Sequence, residues 1–448
     1  MSRRILVLTY YFPPSGGPGV QRILKFVKYL PSSGWTPIVL TVEDGAYPAR
    51  DPSLETDVPS EAEVVRTSSW DPYHLYARLT GRSDDDAVVQ GSLEGRERTW
   101  KERLARWVRA NIVLPDARVG WVPFAVWRGH HLLRRHDVDA ILTTGPPHST
   151  HLAGAALQWM SGIPWVADFR DPWTDINYYQ ELPHTEWARR VDSALERMVL
   201  RRTEALTTVS PGWKSLLQAK INGEGAPKPF RVIHNGYDEE DLQPRRADVD
   251  EEHFTITHVG SLYASRNPTG LWRAVRRLRE NGRVPKLRIR LVGMVDPPVR
   301  EALRAHDLEE RTDFVSYVPH DEAVRHMQRA GLLLLSIEAF PAASGMLTGK
   351  LYEYLASGRP VLGLGPPRGD AARLLRRTGG GRLFARDNVD GLASCVQAHY
   401  KAWESGAPRR GAPTDAVRPY RRKAQTKELA QLLDGVRANA QAVSGAQG

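Results

Sequence analysis

Cysteine is nearly absent: the 448-residue chain contains one, Cys395. Disulfides need pairs, so a disulfide scaffold is excluded, and so is a thiol cluster for a metal. A lone thiol fits a reducing compartment or indifference to redox. Long apolar runs are missing too. No stretch approaches the roughly 18 consecutive apolar residues of a membrane span. The start, Met1-Ser2-Arg3-Arg4 then Ile5 to Phe12, superficially resembles an export signal. Its apolar part is short, however, and runs into Pro13-Pro14-Ser15-Gly16-Gly17 without a small-residue cleavage site, so a buried first strand is expected. Compositional bias is also lacking. Apolar residues make up 41% and charged residues 25%, which excludes a disordered, collagen-like or coiled-coil chain.

What is present is a moderate excess of positive charge. Lysine and arginine total 62 against 52 acids, a net charge of +10. Such an excess suits a polyanion, whether nucleic acid, a membrane surface or a phosphorylated small molecule, and equally a generic basic surface. At roughly 150 residues per domain the length predicts two or three domains.

Ile5 to Tyr11 is a continuous apolar run, the pattern of a strand buried on both faces. A Gly- and Pro-rich loop, Phe12 to Gly19, follows it. Val20, Ile23, Leu24, Val27 and Leu30 then recur with a helical period, and Thr36 to Val42 is a second strand. Strand, glycine loop, helix and strand make the first βαβ unit of a doubly wound sheet. Further strands are expected at Glu63 to Arg66, Ala140 to Thr144, Trp165 to Asp168, Ala205 to Val209 and Phe230 to Ile233. The polar, acidic stretch Gly81 to Arg98 reads as a mobile loop. A second set begins with the strand Phe254 to Val259. It continues through Leu287 to Val292, Thr312 to Phe314, Leu332 to Ser336, Pro360 to Leu364 and Arg382 to Phe384, with a short helix at Lys350 to Ala356. The break falls around Asp238 to Glu252. The fold class predicted is α/β, with two Rossmann-like doubly wound domains, 1–240 and 250–415, facing a cleft. Residues 416–448 are expected to add a helix, Thr426 to Val436, packing back on the N-terminal domain, and a disordered tail of about a dozen residues.

Several segments then stand in an order that resembles the retaining GT-B glycosyltransferases of family four. The clearest is Lys350-Leu-Tyr-Glu353-Tyr-Leu-Ala-Ser-Gly358-Arg-Pro360-Val-Leu. The others are Tyr11-Phe-Pro-Pro-Ser-Gly16-Gly17, Thr144-Gly-Pro-Pro-His148-Ser, Asp168-Phe-Arg170-Asp171-Pro-Trp173, Ile233-His-Asn235-Gly236-Tyr-Asp238 and His258-Val-Gly260-Ser-Leu. No single segment is decisive, but the ordered set covers nearly the whole chain. The resemblance implies transfer of a sugar from a nucleotide-sugar donor, with retention of configuration and no metal or other cofactor. The acceptor it implies is a glycan, a lipid-linked sugar or a small metabolite.

A nucleotide sugar carries a diphosphate that becomes more negative as the sugar leaves, so positive groups must be preorganised there. Arg266 and Lys350 match the family's diphosphate-binding Arg and Lys. Glu353 matches the glutamate expected to accept hydrogen bonds from the donor ribose. Gly16, Gly17 and Gly260 would let backbone approach the donor closely. His148 is similar in place to the active-site histidine. Arg22, in the first helical turn after the glycine loop, is within reach of the acceptor. Asp168, Arg170 and Asp171 cluster at a strand end, either as a salt-bridged loop or as an acceptor-site base and positioner. One departure stands out: the family often carries two glutamates eight apart, and the first place here is Gly345. Backbone N–H groups of Ser344 to Thr348 are expected to serve instead. Glu338 is near but out of register.

Other signals read as bland. Asp137-Val-Asp139 looks like a metal-binding motif but precedes a strand, at the wrong edge. His148 and His151 have a metal-pair spacing without a matching carboxylate or cysteine. Gly363-Leu-Gly365 lacks the rest of a dinucleotide fingerprint. Trp100 to Trp127 reads as core packing, or as an apolar patch beside Arg103, Arg106 and Arg109 facing an acceptor or a membrane. Two rivals remain: a nucleotide-sugar epimerase on the same fold, and a non-catalytic binding module. Partners are expected to include no nucleic acid. The expected location is cytoplasmic, with peripheral contact at the inner membrane face permitted.

Overall fold

In a computed structural model the chain forms two compact units, Met1–His234 with Arg422–Gly448, and Asn235–Arg421. The structure describes residues 3–45, 47, 49–70, 100–221, 227–242 and 249–445. The acidic stretch Gly81 to Arg98 lies outside the described residues, as does Pro244 of the expected interdomain break.

The first unit is built on β1 (Arg3–Leu8), β2 (Trp35–Val42), β3 (Glu63–Thr67), β4 (Ala140–Gly145), β5 (Trp165–Phe169), β6 (Ala205–Thr208) and β7 (Phe230–Val232). They pair in the order β3-β2-β1-β4-β5-β6-β7. Every pairing is parallel, with Val7 beside Val39 on one side and Leu142 on the other. Alternation explains the continuous apolar run of β1. Ile5 and Val7 pack with Val20, Ile23, Leu24 and Val27 of helix Pro18–Tyr29. Leu6 and Leu8 enter the core on the opposite face, with Leu40, Trp121 and Leu157. A strand covered on both faces has no polar side to show.

The last helix, Arg422–Gly445, packs on this unit through Leu429, Leu432, Leu433 and Val436. It corrects the expectation of a disordered tail beyond Val436. The segment Arg437-Ala-Asn-Ala-Gln-Ala has strong helix formers and no proline, and Arg437 donates to Asp139 at 2.7 Å. Asp434 accepts from the Trp35 indole at 3.0 Å and pairs with Arg3. Asp139 also accepts from the Arg4 backbone N–H at 2.8 Å, so it caps a strand start and fastens the terminal helix.

The second unit carries β8 (Phe254–Val259), β9 (Leu287–Val292), β10 (Thr312–Val315), β11 (Leu332–Ser336), β12 (Val361–Leu364) and β13 (Gly381–Phe384). Their order is β10-β9-β8-β11-β12-β13, again all parallel. Leu332 and Leu334 face one core while Leu333 and Leu335 face the other. In both sheets the strand order reverses next to the first strand, between β1 and β4 and between β8 and β11. In doubly wound sheets the ligand crevice lies beyond the carboxyl ends of the strands at that reversal.

The two readings of Trp100 to Trp127 divide. Trp121 is core, buried and donating to Thr67 Oγ1 at 2.9 Å. Trp100, Trp107 and Trp127 are exposed. Among the described residues no helix is long and apolar enough to cross a membrane.

Leu433 is fully buried between the terminal helix and the sheet. Leu433→Ala is therefore expected to cost about 2–4 kcal/mol, read as a lower midpoint in urea unfolding with the slope unchanged.

Candidate functional site

In the second unit the loops after β8, β11 and β13 gather around one group of charges. Tyr354, on helix Gly349–Ala356, fixes that helix to the end of β8. Its phenol oxygen accepts from the Val259 N–H at 2.8 Å and donates to the Val259 carbonyl at 3.4 Å. Lys350 and Glu353, one turn apart on the same helix, are thereby set beside the β8 loop. Gly260, the first residue of that loop, has φ 98° and turns back at once. A Cβ at Gly260 would lie 2.9 Å from Lys350 Nζ. The glycine is needed twice, for its left-handed backbone and for the room it leaves the amine.

Lys350 Nζ lies 3.3 Å from His258 Nε2. His258 is buried and its Nδ1 is 2.9 Å from the Leu334 carbonyl. A carbonyl only accepts, so Nδ1 carries the proton and Nε2 is left as an acceptor for the amine. Burial, then the Lys350 charge, hold His258 down to about 3, so it stays neutral. Lys350 itself is brought down to about 7, by burial and then by the Arg266 charge, with Glu353 pulling the other way. Such an amine gives up its proton far more readily than an exposed lysine. An anion placed beside it would restore the ammonium form.

Arg266 ends the short turn Ala264–Arg266. Its Nε is sunk in protein without a hydrogen bond, 3.9 Å from Glu338 Oε2. Ser336 Oγ donates to the Arg266 carbonyl. Arg386, just beyond β13, donates to the carbonyls of Ile337 at 2.7 Å and Asn267 at 2.6 Å, tying the three loops together. Sequence reasoning missed His258 and Arg386. The first stood within a quoted segment, pointing into the sheet beneath Gly260. The second had no signal beyond its place after a strand. Glu338, out of register by sequence, is brought to Arg266. The expected row of free amides at Ser344 to Thr348 is altered: Pro341–Gly345 is a 3₁₀ turn, and the Met346 N–H is bonded to the Ala343 carbonyl at 3.1 Å.

In the first unit, buried Gly16 donates its N–H to the Ala49 carbonyl at 2.8 Å. A Cβ there would lie 3.1 Å from the Asp51 Cβ. Gly17, with φ 90°, precedes helix Pro18–Tyr29 and is exposed. Arg22 and Asp168 are placed on each other. The guanidinium binds the carboxylate at 3.0 and 2.8 Å and also reaches the His234 carbonyl at 2.9 Å. Thr144 and Thr207 donate to the same carboxylate at 2.9 and 2.6 Å. Its four acceptor positions are thus filled. Burial raises the Asp168 carboxyl, but Arg22 and the two threonines outweigh it and hold the group below its ordinary value. Of the two readings offered by the sequence, the geometry at Asp168 is that of a salt-bridged anchor.

Arg170 is likewise engaged with main chain. It donates to the carbonyls of Gly145 at 3.3 Å, Gly19 and Pro146. Asp171, next in sequence, is half-buried. His148 is buried before helix Ser149–Ser161 and stacks on Trp173 with centroids 5.0 Å apart. Neither of its ring nitrogens has a hydrogen-bond partner in the structure. Burial first, then His151, Arg170 and Lys220, push it well below the usual histidine range. His151 is 2.8 Å from Thr143 Oγ1 and stacks on Phe169 at 4.6 Å. Gly145 makes space for both rings: a Cβ would meet His151 Nε2 at 2.6 Å and His148 Nδ1 at 3.0 Å. Asp116 caps the helix by accepting from the Ser149 N–H and Oγ, both at 2.8 Å. Among the described residues no three His, Cys, Asp or Glu side chains converge as metal ligands do.

Two Rossmann-like units, each with polar loops at the carboxyl edge of a parallel sheet, define the GT-B class. The fold is similar to sucrose-phosphate synthase from Thermosynechococcus elongatus at 14% identity and TM-score 0.65, covering 98% of this chain and 100% of that one. It is similar to a Rickettsia africae glycosyltransferase at 12% identity and TM-score 0.60, covering 97% and 98%. It also resembles Anabaena HepE, solved with UDP and glucose, at 16% identity and TM-score 0.58, covering 96% and 99%. At such identities the likeness is one of fold. A comparison with curated protein sequences gives no match. Family models carry the point further: Glycosyltransferase Family 4 matches residues 19–241 and Glycosyl transferases group 1 matches residues 253–401. The chain belongs to these group 1, family-four glycosyltransferases.

Truncating one member of a buried ion pair strands the other. Asp168→Ala is expected to cost about 3–5 kcal/mol. Adding Arg22→Met should recover part of that loss, a coupling read from a double-mutant cycle in urea. Additive losses would show that the pair is not coupled.

Proposed function

We propose that the enzyme transfers a sugar from a nucleotide-sugar donor held by the second unit, with retention of configuration, to an acceptor taken by the first. The observation that carries this reading is the placement of Lys350, its amine 3.3 Å from His258 and against Gly260, with Arg266 on the same β8 loop, at the strand-order reversal between β8 and β11. Two neighbouring cations in a partly dehydrated setting repel each other and favour a ligand with more than one negative charge. A diphosphate supplies it. Arg266 offers a planar fork and Lys350 a point charge. Glu353, on the same helix as Lys350, supplies an acceptor for ribose hydroxyls. The complexes of HepE with UDP and glucose and with UDP-glucose support such a ligand for this fold.

In the reaction the bond from the sugar's anomeric carbon to the leaving phosphate breaks, and a bond from that carbon to the acceptor oxygen forms. The acceptor's proton passes to the departing phosphate on the same face. Arg266 and Lys350 stabilise the charge that grows on the diphosphate. His148, neutral and with both ring nitrogens unbonded, is suited to exchange hydrogen bonds with sugar or acceptor hydroxyls in either direction. Arg170 and Asp171 follow β5 and shape the acceptor side, and the Arg22–Asp168 pair holds that loop in place. The acceptor class that fits is a hydroxyl on a glycan, a lipid-linked sugar or a small metabolite.

Thermal-shift binding with UDP, GDP, ADP and TDP sugars tests the donor assignment. One nucleotide is expected to shift the melting transition specifically. Lys350→Ala and Glu353→Ala should each lose roughly 10- to 100-fold in affinity, the worth of one charge-assisted hydrogen bond. Wild-type affinity in both would remove the assignment.

The pH dependence has a definite sign. The diphosphate prefers the ammonium form, and Lys350 loses its proton near about 7 in the free protein. Donor affinity should be flat at acid pH and fall as pH rises through 7, by up to about tenfold per unit. In Lys350→Met the affinity should be lower throughout and the slope absent, which calorimetric titration across pH would read.

A further inference from the structure

Large exposed apolar side chains are unevenly shared. Among the described residues six tryptophans are exposed, Trp70, Trp100, Trp107, Trp127, Trp159 and Trp187, and all lie in the first unit. The large apolar residues exposed among the described residues of the second unit are Met294 and Tyr317. Three of the exposed groups fall on one helix, Trp100–Asn111. Trp100, Leu104 and Trp107 are 69%, 53% and 43% exposed. Their spacing, i, i+4 and i+7, makes one stripe along one helical face. In a globular helix that stripe would be the inward one.

The helix is attached at its carboxyl end. Ala110 and Asn111 are buried. Asn111 donates to the Pro183 carbonyl at 3.0 Å and accepts from the Thr185 N–H at 2.6 Å. Arg106 donates to the Glu181 carbonyl at 3.0 Å. Asn111 continues the register of the stripe and is covered, while Trp100, Leu104 and Trp107 ahead of it stay exposed. Trp187, 63% exposed, stands in the first turn of helix Glu186–Arg202, two residues beyond Thr185.

The helix itself is basic, with Lys101, Arg103, Arg106 and Arg109 against Glu102. Exposed indole rings are amphipathic and favour the boundary between hydrocarbon and headgroups, and arginines reach from such a boundary to phosphate. We propose that the first unit docks through the Trp100, Leu104 and Trp107 face of this helix onto an anionic phospholipid bilayer, lying in its interface. Charge complementarity selects this occupant. A second copy would bring the same basic face against itself, which repulsion opposes. The inference does not depend on the donor assignment in the second unit.

The test is sedimentation of the full chain with vesicles of phosphatidylcholine alone and of equal parts phosphatidylcholine and phosphatidylglycerol, at low and high salt. Binding is expected to the anionic vesicles, with a blue shift of tryptophan emission, and to weaken in high salt. Trp100→Ser/Leu104→Ser/Trp107→Ser should reduce partitioning about tenfold or more while leaving the melting temperature in place, because these side chains are exposed. Arg103→Gln/Arg109→Gln should reduce it independently and flatten the salt dependence. Absence of vesicle binding by the folded wild type would overturn the proposal. So would undiminished binding by both variants. A concentration-dependent dimer that the triple variant abolishes, without vesicle binding, would assign the face to a second copy instead.

Discussion

Parallel strand direction is the constraint on which the molecule depends. Every described strand in both sheets runs the same way as its neighbours. All the loops that leave the carboxyl edge of a sheet therefore gather at one end, and each carries main-chain groups that need partners. The first unit solves this with a buried ion pair. Asp168 holds Arg22 from the first helix, Thr144 from β4 and Thr207 from β6, while Arg170 binds the carbonyls of Gly19, Gly145 and Pro146. The second unit solves it with Tyr354 against β8 and Arg386 across the loops of β8 and β11. With the loops fixed in this way, the remaining charged groups stand in set positions.

The contrast between the two edges is instructive. In the first unit cation and anion meet at hydrogen-bonding distance and satisfy each other. In the second, Arg266 and Glu338 stand 3.9 Å apart, and Lys350 meets a neutral imidazole rather than a carboxylate. The second edge thus holds its cations more loosely than the first, as the proposed diphosphate site would need before its ligand arrives.

Much of this was legible in the sequence because it rests on local signals. Runs such as Ile5 to Leu8 and Leu332 to Leu335 mark buried parallel strands, and glycines such as Gly17 and Gly260 mark the loops that follow. Lys350, Glu353 and Tyr354 were legible together because one short helix carries them. The rest depends on topology. Arg22 and Asp168 are 146 residues apart, and no periodicity joins them. Arg386 and Glu338 reach the Arg266 loop only because β11 and β13 lie in the same sheet as β8. The Trp100, Leu104 and Trp107 stripe has the spacing of a core-facing helix. In the fold it stays exposed, although Asn111, next in the same register, is buried against Pro183 and Thr185. The terminal helix continues past Val436 because alanine-rich sequence and the Arg437–Asp139 contact sustain it, where its place at the chain end had suggested a disordered tail.

The proposed donor site turns on the protonation of one amine. Nuclear magnetic resonance of the protein with lysine labelled at Cε reads that group directly across pH. Lys350 is expected to titrate near about 7 in the free protein, set apart from the exposed lysines. Addition of the matching nucleoside diphosphate should move the transition upward, because the bound anion favours the ammonium form. A Lys350 signal that titrates with the exposed lysines, and stays there when nucleotide is added, would contradict the donor site described here.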